Sequence, residues 1–449
     1  MTPKRKFLCR AAALPLQLNK DLKSMLVNFL KTSVAGAALA FATPAFAVDL
    51  EFYFPVAVGG AAADTIEALT AEYAAAHPEL NIEAIYAGSY TDASTKAVTA
   101  ARGGNAPQLS VLLSTEMFTL IDEDLIEPFD LHLTEAEKSE WIDGFFPAFM
   151  QNSQTGGHTW GIPFQRSTPI MYWNKEAFAE AGLEPDVAPA NWDELLTAAT
   201  ALTQKDDAGN VTQWGLRIPS AGFPYWLFQG LSTPAGAILA NADGNETNFD
   251  DPKVVRALEF LVDLSKEHGV MAEGSIDWGA TPKAFFEGES AIIWTSTGNL
   301  TNIRTNAPFE FGVGFLPADE RFGAPTGGGN FYLFKDSTEE QKEAAVDFVQ
   351  WISAPEQAAK WSIATGYVAP RADAWETEAM TAYAEEVPAA LITRDHLEHA
   401  VAELSTYENA RVTSFLNDAL SAAIAGEKSA EEALKEAQAQ AEAVLSAYR

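Results

Sequence analysis

Residues 50–114 read LEFYFPVAVGGAAADTIEALTAEYAAAHPELNIEAIYAGSYTDASTKAVTAARGGNAPQLSVLLS. Three stretches within it, Leu50–Val58, Asn81–Ala87 and Gln108–Ser114, are short and rich in apolar, β-branched and aromatic residues, which predicts strands. Between them Ala62–Ala76 runs to His77-Pro78, and Asp92–Arg102 closes on Gly103-Gly104-Asn105. Both read as helices ended by residues that do not continue one. Short strands alternating with such helices predict an α/β fold with a parallel sheet wound by helices. In such sheets ligands sit outside the carboxyl ends of the strands. Tyr90, after the second strand, and Ser114 and Thr115, after the third, are therefore candidate ligand-binding residues.

Upstream, Leu26–Leu30 and Ser33–Ala47 are almost entirely apolar or small, with Lys31 between them and Lys4, Arg5, Lys6, Arg10, Lys20 and Lys23 before them. The run ends in Ala45-Phe46-Ala47. A basic region, a short apolar region and a small-x-small site in that order predict an export signal cleaved after Ala47 and a periplasmic protein. Met25 is the expected start if translation begins inside the long basic segment. A membrane span needs about 20 consecutive apolar residues, and Ser33–Ala47 falls short. Residues 1–47 hold 7 of the 29 basic and 1 of the 62 acidic residues, leaving 22 against 61 and a net charge of −39. So acidic a chain repels nucleic acid and anionic lipid, and only a locally positive pocket would hold an anion. The single cysteine, Cys9, lies in the signal, which excludes disulfides and thiolate chemistry from the exported part. Roughly 400 remaining residues exceed one hydrophobic core and predict two lobes.

Downstream, Gly161–Trp173 is one extended aromatic-rich run, and Asn191 caps a helix opening on Trp192-Asp193-Glu194. Two clusters, Asp206–Asn210 and Asp243–Asn245, share the composition of calcium loops but lack the ligand spacing, and read as turns. Asp250-Asp251-Pro252 caps a helix over Lys253–His268. Ala291–Ser296 reads as a buried strand entering Thr297-Gly298-Asn299 and a short helix, a junction that turns N–H groups toward an anion. Gly327-Gly328-Gly329 admits a close backbone approach or a flexible turn. Helices follow over Glu339–Ile352 and Pro355–Ala364. The last helix, opened by a capping box at Ser429–Glu432, is expected on the surface.

Nothing points to catalysis. The six histidines form no H-E-x-x-H pattern, and no G-x-S-x-G, P-loop or GxGxxG sequence occurs. His396 and His399 share a helix face, read as solvated rather than metal-binding because Arg394 and Glu398 flank it. No cofactor is expected. Carboxylates are so abundant that a glycosidase-like pair stays open, and with it a secreted polysaccharide hydrolase.

The ordered motifs Gly104-Asn105-Ala106-Pro107, Gly161-Ile162-Pro163-Phe164, Tyr172-Trp173-Asn174-Lys175, Trp192-Asp193-Glu194-Leu195 and Thr365-Gly366-Tyr367-Val368 resemble those of the large solute-binding proteins of ABC importers. Tyr86–Tyr90, Phe164–Pro169, Ser296–Arg304, Gly327–Gly329 and Asn409–Val412 make the chain most similar to the branch that binds sn-glycerol-3-phosphate. The resemblance implies a periplasmic clamshell: two α/β lobes with doubly wound sheets, joined by crossing strands, the ligand between them. Expected bounds are 48–165 with 324–365 for the first lobe and 166–323 with 366–449 for the second. It implies a monomer that is not an enzyme, that takes a small-molecule ligand (sn-glycerol-3-phosphate, a glycerophosphodiester, or a sugar or oligosaccharide) to an ABC permease.

Residue by residue, the resemblance implies Arg411 as the main phosphate cation, by bidentate charge-assisted bonds. Ser296 and the backbone of Gly328 would be further phosphate donors. Tyr90, Ser167 and Tyr367 would form a polar wall and Trp192 an aromatic floor. Ser114 stands where that branch carries a polyol-binding glutamate, and Arg166 offers a second cation. Each has a structural alternative: lobe-surface aromatics for Tyr90 and Tyr367, helix-start core for Trp192, strand-end hydroxyls for Ser167 and Ser296, and surface ion pairs for Arg411 and Arg166.

Overall fold

The computed structural model describes residues 48–449; the expected export signal and cleavage site lie outside the described residues. No helix among the described residues is long and apolar enough to cross a membrane.

The opening segment forms Val48–Phe54, Leu80–Tyr86 and Leu109–Leu113, with the first strand in the middle and parallel to both others. The helix between the first two strands spans Ala62–Ala76. The next starts earlier than Asp92, at Tyr90, because the Ser89 side chain accepts the Asp92 N–H and Asp92 answers in a capping box. Gly327–Phe334 adds antiparallel to Leu109–Leu113 and also pairs with Ile126–Glu127 and Gly161–Ser167. Alternate residues of these strands, Leu50, Phe52, Phe54, Leu109, Val111 and Phe331, face a common apolar core with Ile66 and Phe348 from the helices.

The extended run after Gly161 is two strands, not one. Gly161–Ser167 belongs to the first sheet and Pro169–Asn174 to a second, with Thr168 alone between them. The second sheet runs Phe311–Gly314, Pro169–Asn174, Ser290–Ser296, Val211–Arg217, Gln204–Lys205. Its Val211–Arg217 and Ser290–Ser296 strands are parallel, while Pro169–Asn174 is antiparallel to both its neighbours. Asp206 turns the chain between Gln204–Lys205 and Val211–Arg217, accepting the Ala208 and Asn210 N–H groups. The last two helices, Asn409–Ala425 and Ala430–Leu445, do not merely lie on the surface. Leu416, Leu420, Leu434, Ala441 and Leu445 enter the core over this sheet.

The chain passes between the two sheets more than once. Ala324–Pro325 leads back into Gly327–Phe334, and Ala400–Val401 pairs parallel with Ala324–Pro325. The next residues, Ala402–Leu404, form no regular strand yet are held on both sides by amides. Asn152 pairs with both backbone groups of Glu403, its Oδ1 accepting the N–H at 2.8 Å and its Nδ2 reaching the carbonyl at 3.0 Å. Gln229 accepts the Leu404 N–H and donates to the Ala402 carbonyl, both at 2.9 Å. This bracket presents one side chain, Glu403, inward between the sheets.

Candidate functional site

A cavity lies where the two sheets' strand ends converge. Tyr90, Ser167, Ser296, Gly328 and Tyr367, five of the eight residues singled out in the sequence, line it. Each arrives by a local device. Tyr90 begins its helix, and its hydroxyl donates to Gln165 Oε1 at 2.7 Å. Ser167 and Ser296 are the last residues of strands from different sheets. Gly366 ends the preceding helix in the left-handed region (φ 95°) and turns Tyr367 inward, where its ring stacks on Trp361. Gly328 has φ 94°, and a Cβ there would lie 1.8 Å from the Gln165 carbonyl oxygen, so only glycine lets the wall form. Burial holds the Tyr90 and Tyr367 phenols well above their ordinary range, so both stay protonated.

The other three lie elsewhere. Trp192 is buried core: it stacks on Phe260 at 4.3 Å with planes 7° apart, because it is the first inward position of an amphipathic helix. Arg411 faces solvent. Asn409, Val412, Thr413 and Leu416 turn one face of the helix inward, which leaves Arg411 on the opposite face, its side chain 60% exposed and paired with Glu408 at 3.3 Å. Ser114 is fully buried beneath the cavity rather than lining it, and its Oγ donates to Glu403 Oε2 at 3.3 Å.

The rest of the lining was not anticipated. Phe223, Trp226 and Trp278 form one wall, with Trp278 edge-on to both others at 5.5 and 5.8 Å. Both indole N–H groups are engaged away from the cavity, Trp226 Nε1 on the Thr326 carbonyl at 2.8 Å and Trp278 Nε1 on the Ala57 carbonyl at 3.1 Å. The wall therefore offers ring faces and edges. Glu403 supplies the cavity's carboxylate, fully buried, with Tyr225 donating to Oε1 at 2.7 Å and Ser114 to Oε2. Burial pushes it up to about 7, against the opposing pull of the Tyr225 bond, the Arg166 charge and the Ser114 bond. Phe223 and Trp226 follow the carboxyl end of Val211–Arg217, so the rule applied to the first sheet would have found them in the second. Glu403 and Trp278 carry no local signal.

Arg166 is a buried cation, not a surface one. Its guanidinium donates to the Gly328 carbonyl, Asn330 Oδ1 and Thr326 Oγ1 at 3.1–3.3 Å and lies over the Phe149 ring. Those bonds tie the crossing strands together, and Arg166 does not line the cavity. At the expected anion junction, Ser296 Oγ already accepts the Gly298 N–H, and Thr297 Oγ1 accepts the Thr168 N–H. His396 is likewise not solvated. It is fully buried, stacked on Phe315, with Nδ1 3.2 Å from Thr168 Oγ1, and burial followed by the His399 charge lowers it to about 3. Among the described residues no group of three or more His, Asp or Glu is placed to hold a metal ion.

Against this geometry stand the comparisons with known proteins. Residues 68–389 match the family described as bacterial extracellular solute-binding protein. The sn-glycerol-3-phosphate-binding periplasmic protein of Pectobacterium atrosepticum is 27% identical over 383 residues, covering 81% of this chain and 83% of its own. Two solved structures share the fold. The UgpB protein of Mycobacterium tuberculosis, in complex with glycerophosphocholine, has a TM-score of 0.76 at 22% identity and covers 89% of this chain and 99% of its own. A solute-binding protein of an ABC transporter from Thermotoga lettingae, bound with α-D-tagatose, has a TM-score of 0.75 at 20% identity, with 88% and 99% covered.

Proposed function

The chain belongs to the bacterial extracellular solute-binding proteins, the capture components of ABC importers, and we propose that its own ligand is a small uncharged polyhydroxylated solute, a sugar or polyol. The observation that carries this is the composition of the cavity wall. Phe223 and two tryptophans whose N–H groups are bonded to backbone carbonyls, four neutral hydroxyls and one carboxylate line it, with no lysine or arginine among them. Aromatic faces pack on the apolar C–H faces of sugar rings and bury large areas. Hydroxyl groups of the ligand find acceptors in Glu403 and partners in Tyr90, Tyr367, Ser167 and Ser296. Binding between the two sheets' ends favours the closed arrangement of the halves, which the permease then receives.

sn-Glycerol-3-phosphate or a glycerophosphodiester is the second reading, favoured by the name of the relative that matches across 81% of the chain. Its difficulty is electrostatic. A phosphate about 5 Å from an ionised Glu403 meets a repulsion of roughly 3 kcal/mol per unit of its charge at an effective dielectric of about 20, and the expected counter-charge, Arg411, faces solvent.

Calorimetry on the exported chain tests the proposal with D-glucose, D-tagatose, sorbitol, trehalose, sn-glycerol-3-phosphate and glycerophosphocholine. Saturable binding of at least one neutral compound at micromolar affinity or better, unchanged by Arg411→Ala, is expected. Binding of sn-glycerol-3-phosphate alone, lost in Arg411→Ala, would replace this reading with the second.

A further inference from the structure

We infer that Glu403 is the residue that sets specificity in this cavity, accepting hydroxyl donors and turning away anions. The inference rests on the reading of the cavity as a sugar or polyol site and names the group that makes it one. Ser114 is too short to reach the ligand and instead spends its hydroxyl on Glu403. The carboxylate at this point of the cavity thus comes from 289 residues further along the chain. Its two oxygens are held from opposite halves: Ser114 follows a first-sheet strand, and Tyr225 stands at the start of the helix Pro224–Ser232 beside the second sheet. An ionised carboxylate has about four acceptor positions. Two are filled by Ser114 and Tyr225, and what remains faces the cavity, where only a donor completes it.

The charged and titratable groups around it support the same polarity. Arg166, on the strand Gly161–Ser167, is the cation whose charge acts on Glu403. Its guanidinium is bonded to Gly328, Asn330 and Thr326, so it steadies the carboxylate from behind without offering itself to a ligand. Glu116, in the turn after Leu109–Leu113, is itself raised to about 7 by burial and by Glu123. The phenols of Tyr90, Tyr225 and Tyr332 are raised by burial and remain neutral. With Glu403 at about 7, ionised and protonated forms coexist near neutrality. Hydroxyl donors prefer the ionised form, so their capture releases a proton, and affinity falls as pH drops below 7. Anions prefer the protonated form and gain where sugars lose.

The test compares wild type, Glu403→Gln and Glu403→Asp by calorimetry at pH 5.5 and 8.0. It uses the tightest neutral compound of the panel above, with inorganic phosphate as the anionic counterpart. Wild type is expected to bind the neutral compound at least about tenfold more tightly at pH 8.0 than at pH 5.5. Glu403→Gln should bind it roughly tenfold more weakly than wild type at pH 8.0, with no pH dependence left, and should admit phosphate at pH 8.0. Glu403→Asp, which keeps the charge on a shorter stem, should lose affinity but keep the pH dependence. Wild-type affinity and an unchanged pH profile in Glu403→Gln overturn the inference while leaving the sugar reading intact. Failure of wild type to bind any neutral compound overturns the sugar reading and this inference with it.

Discussion

Glu403 is pulled in opposite directions by folding, and the balance has a measurable consequence for the unliganded protein. Its ionisation is disfavoured by burial, so it sits at about 7 against an ordinary 4.5. A carboxyl raised in this way costs nothing below pH 4.5. The cost grows as pH rises through the window and is complete above 7, where it amounts to about 3 kcal/mol. Glu116 acts in the same direction over the same window. His396 acts oppositely: its ring is held at about 3 against 6.5, so its contribution is full above 6.5 and is lost as pH falls. Urea unfolding should therefore find Glu403→Gln more stable than wild type by up to about 3 kcal/mol at pH 8 and no more stable at pH 4. Equal stability at pH 8 would mean that burial does not raise Glu403 in the folded protein. The weaker-binding variant would be the stabler one, as expected where function needs a strained group. At this scale the sequence was informative for residues placed by their own element. Tyr90 and Ser296 stand at a helix start and a strand end, which local pattern locates, whereas Ser167 ends a strand inside a run that reads as continuous. Arg411 and Trp192 depended on helix phase, and a shift of one residue separates an inward from an outward side chain. Glu403 depends on Asn152 and Gln229, partners 251 and 173 to 175 residues away, and no local pattern announces it.

Elements differ in how far glycine geometry constrains them, and the strand Gly327–Phe334 is the clearest case. Gly328 is left-handed and pressed against the Gln165 carbonyl, 1.8 Å from where a Cβ would sit. Gly426, which ends the helix Asn409–Ala425, is also left-handed (φ 76°) but has nothing within 4 Å. Both pay the same conformational cost on substitution by alanine, about 1 kcal/mol. Only Gly328→Ala must also push the crossing strands apart, so its loss in urea unfolding should be at least about 3 kcal/mol, against about 1 kcal/mol for Gly426→Ala. Similar losses at both sites would show that the crossing strands yield. Element boundaries were largely readable where capping fixes them: Asn191, Asp251 and Ser429 each cap the helix they were expected to open. The change of sheet at Thr168 was not readable. The residues on either side of it are equally extended and equally buried, and only their partners differ, Gly327–Phe334 before it and Ser290–Ser296 after it.

Across the whole molecule, one of the polar contacts that join the two halves beside the cavity belongs to a side chain that also lines the ligand space. Trp278 is fixed to the second half by its own N–H on the Ala221 carbonyl at 3.0 Å and by Gly222 (φ 97°), where a Cβ would fall 2.7 Å from that of Trp278. Its indole N–H crosses to Ala57, in the loop after the first strand, while its ring lines the cavity with Phe223 and Trp226. Beside it, Asn302 packs against Gly59 of the same loop. A ligand seated on the ring thus rests on the group that holds the mouth shut, so occupancy and closure reinforce each other. One neutral hydrogen bond is worth about 0.5–1.5 kcal/mol net, a two- to tenfold change in the closed-to-open ratio. Trp278→Phe keeps an aromatic face and removes only the donor. Stopped-flow measurement on a bound sugar should find release two- to tenfold faster in Trp278→Phe with the association rate little changed, since such differences fall mainly on dissociation. An unaltered release rate would assign Trp278 to the wall alone, whereas a faster association rate would place the bond in the unliganded protein as well, where it has to break before ligand enters.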